Sequence, residues 1–112
     1  MNKEKENSFC DDSETHRGFK YTKFTDTYDT ECSLQISSSV EERIWFGVDD
    51  ANPKILVSRA KEHGLEPQGK NGWMSYPIPD DVLLTTRMHL SREQVKELLP
   101  YLINFVETGE IY

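Results

Sequence analysis

The sequence predicts an α+β fold: a mainly antiparallel sheet of about four strands with a C-terminal helix packed on one face. Two observations predict this class. Short segments that alternate between apolar and polar residues, separated by turn residues, fill much of the first half of the chain. A strand-like run from Val82 then leads directly into an amphipathic helix that Gly109 would end.

The C-terminal strand and helix carry the clearest pattern. Successive strand residues point to opposite faces, so Arg87 and His89 share one face of a strand that begins at Val82. Ser91 followed three residues later by Gln94 predicts a capping box at the start of the helix. Apolar residues then recur at helical spacing, at Val95, Leu98, Leu99, Leu102 and Val106.

The preceding segments predict the rest of the sheet. Residues 19–24 and 32–37 are predicted to form the two strands of a hairpin around a turn at residues 26–29. Residues 43–48 are nearly continuously apolar, which favours a central strand. Asn52 and Pro53 are typical of a helix start, and the sequence predicts a helix from there to Gly64 at the edge of the sheet. Residues 73–79 are expected to be extended.

Domain organisation follows from composition. Residues 1–17 are polar and charged, with Phe9 as their only aromatic residue, so they are predicted to be a disordered tail. Residues 18–112 are long enough for a single α+β domain.

The overall charge narrows the classes of partner. The net charge is −7 and the isoelectric point is near 4.9, which argues against binding to duplex nucleic acid, since that binding depends on Lys and Arg. Neither an apolar run of membrane-spanning length nor an apolar stretch after Met1 is present, so we expect no membrane association and a cytoplasmic location. Cys10 and Cys32 are too few for a disulfide framework, and Cys32 is expected to be a small buried residue.

No catalytic or metal-binding motif is apparent. The three histidines are scattered along the chain, and Asp49 and Asp50 match no calcium loop and are better explained by helix-start electrostatics. We therefore predict no catalytic residues, no metal and no cofactor. An enzyme, such as one that degrades nucleotides, stays open as an alternative.

One polar and aromatic set suggests ligand binding. Arg87 and His89 share a strand face, while Trp45, Trp73 and Tyr76 lie in neighbouring extended segments. A guanidinium, an imidazole and aromatic rings are groups that hold a phosphorylated base. The alternative is that Arg87 pairs with a carboxylate such as Asp26 or Asp49, and that the aromatic rings fill the core.

Four segments resemble a widespread group of small proteins encoded by phages and prophages. They are FTDTYDTECSLQISS (24–38), RIWFGVDDANPKI (43–55), GWMSYPIPDDVLLTTRMHLSREQV (72–95) and LLPYLINFVETGE (98–110), of which RMHLSREQ is the most specific. Asp29 departs from the group, in which a glycine follows the tyrosine. Because Asp tolerates a left-handed turn better than most residues, the hairpin is expected to persist. The resemblance implies a phage setting and assigns no site residues.

In that setting we expect a non-enzymatic protein that counters host antiviral defence by binding, preferably by sequestering a nucleotide-derived immune signal in the host cytoplasm. The alternatives are an acidic inhibitor of a host or CRISPR nuclease that mimics nucleic acid, and an accessory factor of phage replication. The expected partners are therefore a nucleotide-derived small molecule or a host defence protein. Open sheet edges also predict a homodimer or a higher homo-oligomer.

Overall fold

The computed structural model describes residues 8–112, and these fall into two compact units. One unit contains residues 8–49 together with Thr86–Tyr112, and the other is Asp50–Thr85. The sequence predicts a single domain over residues 18–112, and its composition gives no sign of this division, since the middle segment has no linker-like boundary.

Seven strands, one short 3-10 helix and one α-helix make up the described chain. The strands are β1 (Asp11–Glu14), β2 (Lys20–Thr25), β3 (Glu31–Ile36), β4 (Arg43–Val48), β5 (Lys54–Leu56), β6 (Trp73–Ser75) and β7 (Arg87–Ser91), and the α-helix is α1 (Arg92–Thr108). A five-stranded antiparallel sheet has the order β1-β2-β3-β4-β7, and α1 contacts it at β7. The α+β class is confirmed, with one strand more than expected in the main sheet.

The additional strand comes from the segment predicted to be disordered. The prediction does not hold for Asp11–Glu14, which pair with Lys20–Lys23 of β2, while residues 1–7 lie outside the described residues. All four β1 side chains are exposed. Backbone pairing at a sheet edge needs no apolar side chains, which is why composition misses this strand. Phe9 adds a contact, since its ring centroid lies 5.1 Å from that of Phe24.

The predicted hairpin is confirmed as β2 and β3. Asp26 orders the turn between them, because its side chain accepts hydrogen bonds from the backbone N–H groups of Tyr28 at 2.8 Å and Thr30 at 3.0 Å. Asp29 has a φ of 62°, so the turn does require a left-handed residue at the position where the resembled group has glycine.

The last strand is shorter than expected. The prediction that it begins at Val82 is wrong, because pairing with β4 begins at Arg87, opposite Gly47. Residues 82–86 have no strand partner to pair with, and a residue's β propensity alone does not make a strand. The capping box is confirmed, with Ser91 and Gln94 exchanging hydrogen bonds of 3.2 and 2.9 Å, and Gly109 ends α1 in the left-handed conformation.

The unit Asp50–Thr85 contains the small sheet of β5 and β6. The predicted helix from Asn52 to Gly64 is wrong over Lys54–Leu56, which form β5, whereas Val57–His63 form the 3-10 helix and Gly64 ends it. Pairing of Ile55 with Met74 outweighs the helix-start signal. The core of this unit consists of Val57, Ala60 and Met74, with Ile55 and Leu65 packed against it.

The two faces of the main sheet differ in character. Cys32, Leu34 and Ile36 of β3 lie on one face, and Ser33 and Gln35 lie on the other. Cys32 is buried as expected, and this burial, together with the charges of Asp26 and Asp49, raises the pKa of its thiol.

The backbone of β7 lies close to Gly47 of β4. Its φ is 147°, and a Cβ built on it would lie 3.0 Å from the carbonyl oxygen of Thr86 and 3.1 Å from the Cα of Arg87. A Cβ here would be crowded by the β7 backbone, which would have to shift by a few tenths of an ångström, and the positive φ also favours glycine.

Gly47→Ala is therefore expected to lower the free energy of unfolding by about 1–3 kcal/mol, because the backbone is strained and β7 must move. Urea unfolding followed by circular dichroism measures this. Gly18→Ala is the matched control, since Gly18 also has a positive φ of 84° but open space around it. Equal losses from both substitutions would contradict the importance of the close approach.

The two cysteines are expected to differ in reactivity. Cys10 is partly exposed, whereas the Cys32 thiol is buried and has a raised pKa, so little of it is thiolate at neutral pH. Ellman's reagent should modify Cys10 quickly and Cys32 only after the protein unfolds. In Cys10→Ser the fast phase should disappear, and a fast phase that persists in this variant would contradict the burial of Cys32.

Candidate functional site

Three of the five predicted site residues come together on the polar face of the main sheet. The register places His89 of β7 directly opposite Trp45 of β4, and Arg87 opposite Gly47. Paired residues of antiparallel strands share a face, so the guanidinium, the imidazole and the indole lie side by side. The prediction that Arg87 and His89 share a strand face is confirmed.

Trp45 and His89 form a stacked pair. Their ring centroids are 4.0 Å apart and their planes differ by 20°. Trp45 is half-buried, whereas His89 is exposed. The indole therefore packs against one face of the imidazole, while the His89 residue as a whole stays exposed to solvent. The Arg87 guanidinium carbon lies 5.5 Å from the Trp45 ring centroid, within cation–π range.

Arg87 takes neutral partners. Its Nη1 donates to Oε1 of Gln35 at 3.1 Å and more weakly to Oγ of Ser33 at 3.4 Å. Within the described residues it makes no ion pair, so the alternative pairing with Asp26 or Asp49 is absent. A guanidinium has five N–H donors, and both of these bonds use Nη1. The donors on Nε and Nη2 have no hydrogen-bond partner among the described residues, and the charge of this half-buried group is not cancelled by a carboxylate of its own.

Asp49 has other partners beside this cluster. It accepts a hydrogen bond of 2.5 Å from the Ser33 hydroxyl, and its second oxygen lies 3.7 Å from the Lys23 ammonium. Lys23 thus offsets the negative charge of Asp49. Ser33 links Asp49 to Arg87, which fixes the position of the guanidinium without neutralising it.

Ser37 and His89 place a hydroxyl within reach of a base. The buried Ser37 Oγ lies 2.9 Å from Nε2 of His89 and also accepts from the Ser39 N–H at 3.2 Å. Nucleophilic catalysis by such a pair normally needs a third group that orients the imidazole. In the described part of the chain Nδ1 of His89 has no hydrogen-bond partner, and stacking on Trp45 holds the ring instead. The hydrogen bond between Ser37 and His89 and the stacking on Trp45 together hold the His89 ring in position.

Trp73 and Tyr76, the other predicted site residues, lie in the unit Asp50–Thr85. Trp73 is a β6 residue with 65% of its surface exposed. Tyr76 contacts His63, with the hydroxyl 3.4 Å from Nδ1 and the rings edge to face at 5.5 Å. Each has surroundings within its own unit, and neither belongs to the cluster described above.

The sequence interpretation did not assign the polar residues that hold Arg87 and His89. These residues are Lys23, Ser33, Gln35, Ser37 and Asp49. A signal for three of them is present, because Ser33, Gln35 and Ser37 alternate with apolar residues in a strand expected to neighbour Trp45. A run of polar side chains on an interior strand indicates a face that is not core.

Among residues 8–112, no three His, Cys, Asp or Glu side chains are grouped closely enough to hold a metal ion. Of the helices described, none has the length and apolar character needed to cross a membrane. Comparison of the chain with protein-family models, with curated proteins and with solved structures finds no match.

Proposed function

We propose that this chain is a non-enzymatic binding protein that holds a nucleotide-derived ligand on the polar face of its main sheet. Arg87 would bind a phosphate group, and the outer surface of the His89 ring would stack on the base. In the phage setting that the resemblance implies, binding would sequester a nucleotide-derived signal of host antiviral defence.

The observation that carries the proposal is the environment of Arg87. A half-buried guanidinium with neutral partners and unused donors retains its positive charge for a ligand. Arginine binds phosphate through two parallel N–H bonds, and such charge-assisted bonds are about twice as strong as neutral ones. The partners Gln35 and Ser33 fix the side chain beforehand, which lowers the entropy lost on binding.

The stacked rings support the base-binding part. Stacking of a base on an aromatic side chain contributes about 1–3 kcal/mol. Trp45 stacks on His89 with the ring centroids 4.0 Å apart, and the Arg87 guanidinium carbon lies 5.5 Å from the same indole ring, so the three groups are neighbours. A phosphate and an attached base would therefore meet complementary groups at neighbouring positions.

Isothermal titration against cyclic nucleotides and ADP-ribose derivatives tests the proposal. At least one ligand should bind to the wild-type chain, and Arg87→Gln should weaken it roughly 10–100-fold through loss of about 1.5–3 kcal/mol of charge-assisted bonding. His89→Ala should weaken it by about 10-fold through loss of stacking.

Arg59→Gln is the matched control, since Arg59 is an exposed arginine paired with Glu62 in the other unit. It removes the same charge and should leave affinity unchanged. Absence of heat with every ligand would contradict the proposal. An equal loss of affinity in the Arg59 and Arg87 variants would show a general charge effect instead of a site.

A plating assay tests the biological part. Expression of the wild-type chain should restore phage growth on a host whose defence uses the ligand identified by titration, and Arg87→Gln should not. On a host without defence, expression should make no difference. Equal protection by the wild-type and Arg87→Gln chains would separate any anti-defence activity from this site.

A further inference from the structure

Among the described residues, the apolar face of the main sheet is only partly covered, and helix α1 is largely open to solvent. Register pairs align Ile36, Ile44 and Leu90 across three strands, on the face opposite Arg87 and His89. Ile36 is 48% exposed, and Met88, which lies on the same face, is 51% exposed. In the described part of this unit, Cys32 is the one apolar residue that is buried. A five-stranded sheet would ordinarily bury many apolar residues.

Helix α1 does not supply the missing cover. It contacts the sheet beside β7, but none of its residues is buried. From Leu98 onward, nine large side chains are exposed by 38–94%: Leu98, Leu99, Tyr101, Leu102, Ile103, Phe105, Val106, Ile111 and Tyr112. Seven of the nine lie in α1 and expose on the order of 650 Å², and Ile111 and Tyr112 beyond its end add about 300 Å², whereas the largest apolar patch of a typical monomer is about 300–600 Å².

The apolar residues of α1 also occupy a little more than half of the helix circumference. At about 100° per residue, the positions from Tyr101 through Leu102 to Ile103 span an arc of roughly 200°. A helix that lies on a single surface needs an arc of only about 100°. An arc of this width fits a helix placed between two surfaces, one of them its own sheet.

A groove separates the helix from the sheet. It has a volume of about 1110 Å³, and its apolar walls come from Ile36, Ile44 and Leu90 on one side and from Val95 and Leu99 on the other. Charged residues at its edge include the ion pairs of Arg92 with Glu42 and of Arg43 with Glu41. An apolar centre with a charged rim is the usual anatomy of a protein interface.

We propose that a second copy of this chain occupies the groove, with α1 of each copy packed against α1 and the apolar sheet face of the other. The exposed residues of α1 together with Ile111 and Tyr112 offer a surface comparable with the roughly 800 Å² that one partner contributes to a stable interface. One chain carries both the unfilled sheet face and the unpacked helix, so the surface is self-complementary, as a two-fold interface requires. Because this face lies opposite Arg87 and His89, the inference is independent of the proposed ligand site.

Sedimentation equilibrium of the full chain tests this inference. The wild-type protein should be a dimer or a larger even-numbered oligomer at micromolar concentration. Leu102→Glu places a charge at the centre of the helix arc and should raise the dissociation constant at least about 100-fold. Val40→Glu is the matched control, because Val40 is a fully exposed loop residue, and it should leave the mass unchanged.

Cross-linking keeps the test decisive if Leu102→Glu does not fold. In a Cys10→Ser background, Leu102→Cys should give a covalent dimer with a short bis-maleimide, and Val40→Cys should not. A monomeric wild-type chain at about 100 µM would overturn the proposal. So would an oligomer that keeps its mass in Leu102→Glu and does not cross-link through position 102, or stoichiometric co-purification of a different protein in place of the second copy.

Discussion

The pairing of β4 with β7 is the interaction on which the rest of this structure depends. It joins segments that are about 40 residues apart in the chain, and it places Trp45 opposite His89. The glycine at position 47 lets the two backbones approach to a distance at which a Cβ would be crowded. This pairing brings the guanidinium, imidazole and indole together, and it also fixes where α1 begins, because Ser91 is both the last residue of β7 and the cap of the helix.

The alternation of side chains along these strands gives the sheet two faces of different character. One face carries a polar network in which Ser33 links the Asp49 carboxylate to the Arg87 guanidinium. The opposite face carries isoleucine, leucine and phenylalanine side chains and is only partly covered by the residues that the structure describes. A ligand and a partner would thus approach from opposite sides of a single layer of strands, and each could bind without displacing the other.

The local features of the fold could be predicted from the sequence, whereas the non-local ones could not. The capping box at Ser91 and Gln94 and the turn at Asp26–Asp29 depend on residues a few positions apart, and both are confirmed. Pairing of Ile55 with Met74, which replaces the start of the expected helix, depends on tertiary contacts that no propensity contains.

The same distinction applies to the candidate site. The shared face of Arg87 and His89 follows from alternation alone, even though the strand begins later than expected. Trp45 follows from its position on an apolar strand that was expected to be interior. Grouping Trp73 and Tyr76 with them required knowledge of which strands are neighbours, and β6 pairs with β5 instead of the main sheet. Composition could not reveal that division.

The edge strand β1 has a consequence for how copies of the chain meet. Its four residues include three carboxylates, and among the described strands it is the outermost strand of the main sheet. Repulsion between two such acidic edges would oppose the continuous addition of strands that leads to fibrils. A polar stretch whose composition predicts disorder would in this way limit open-ended aggregation and favour assembly through the faces of the sheet.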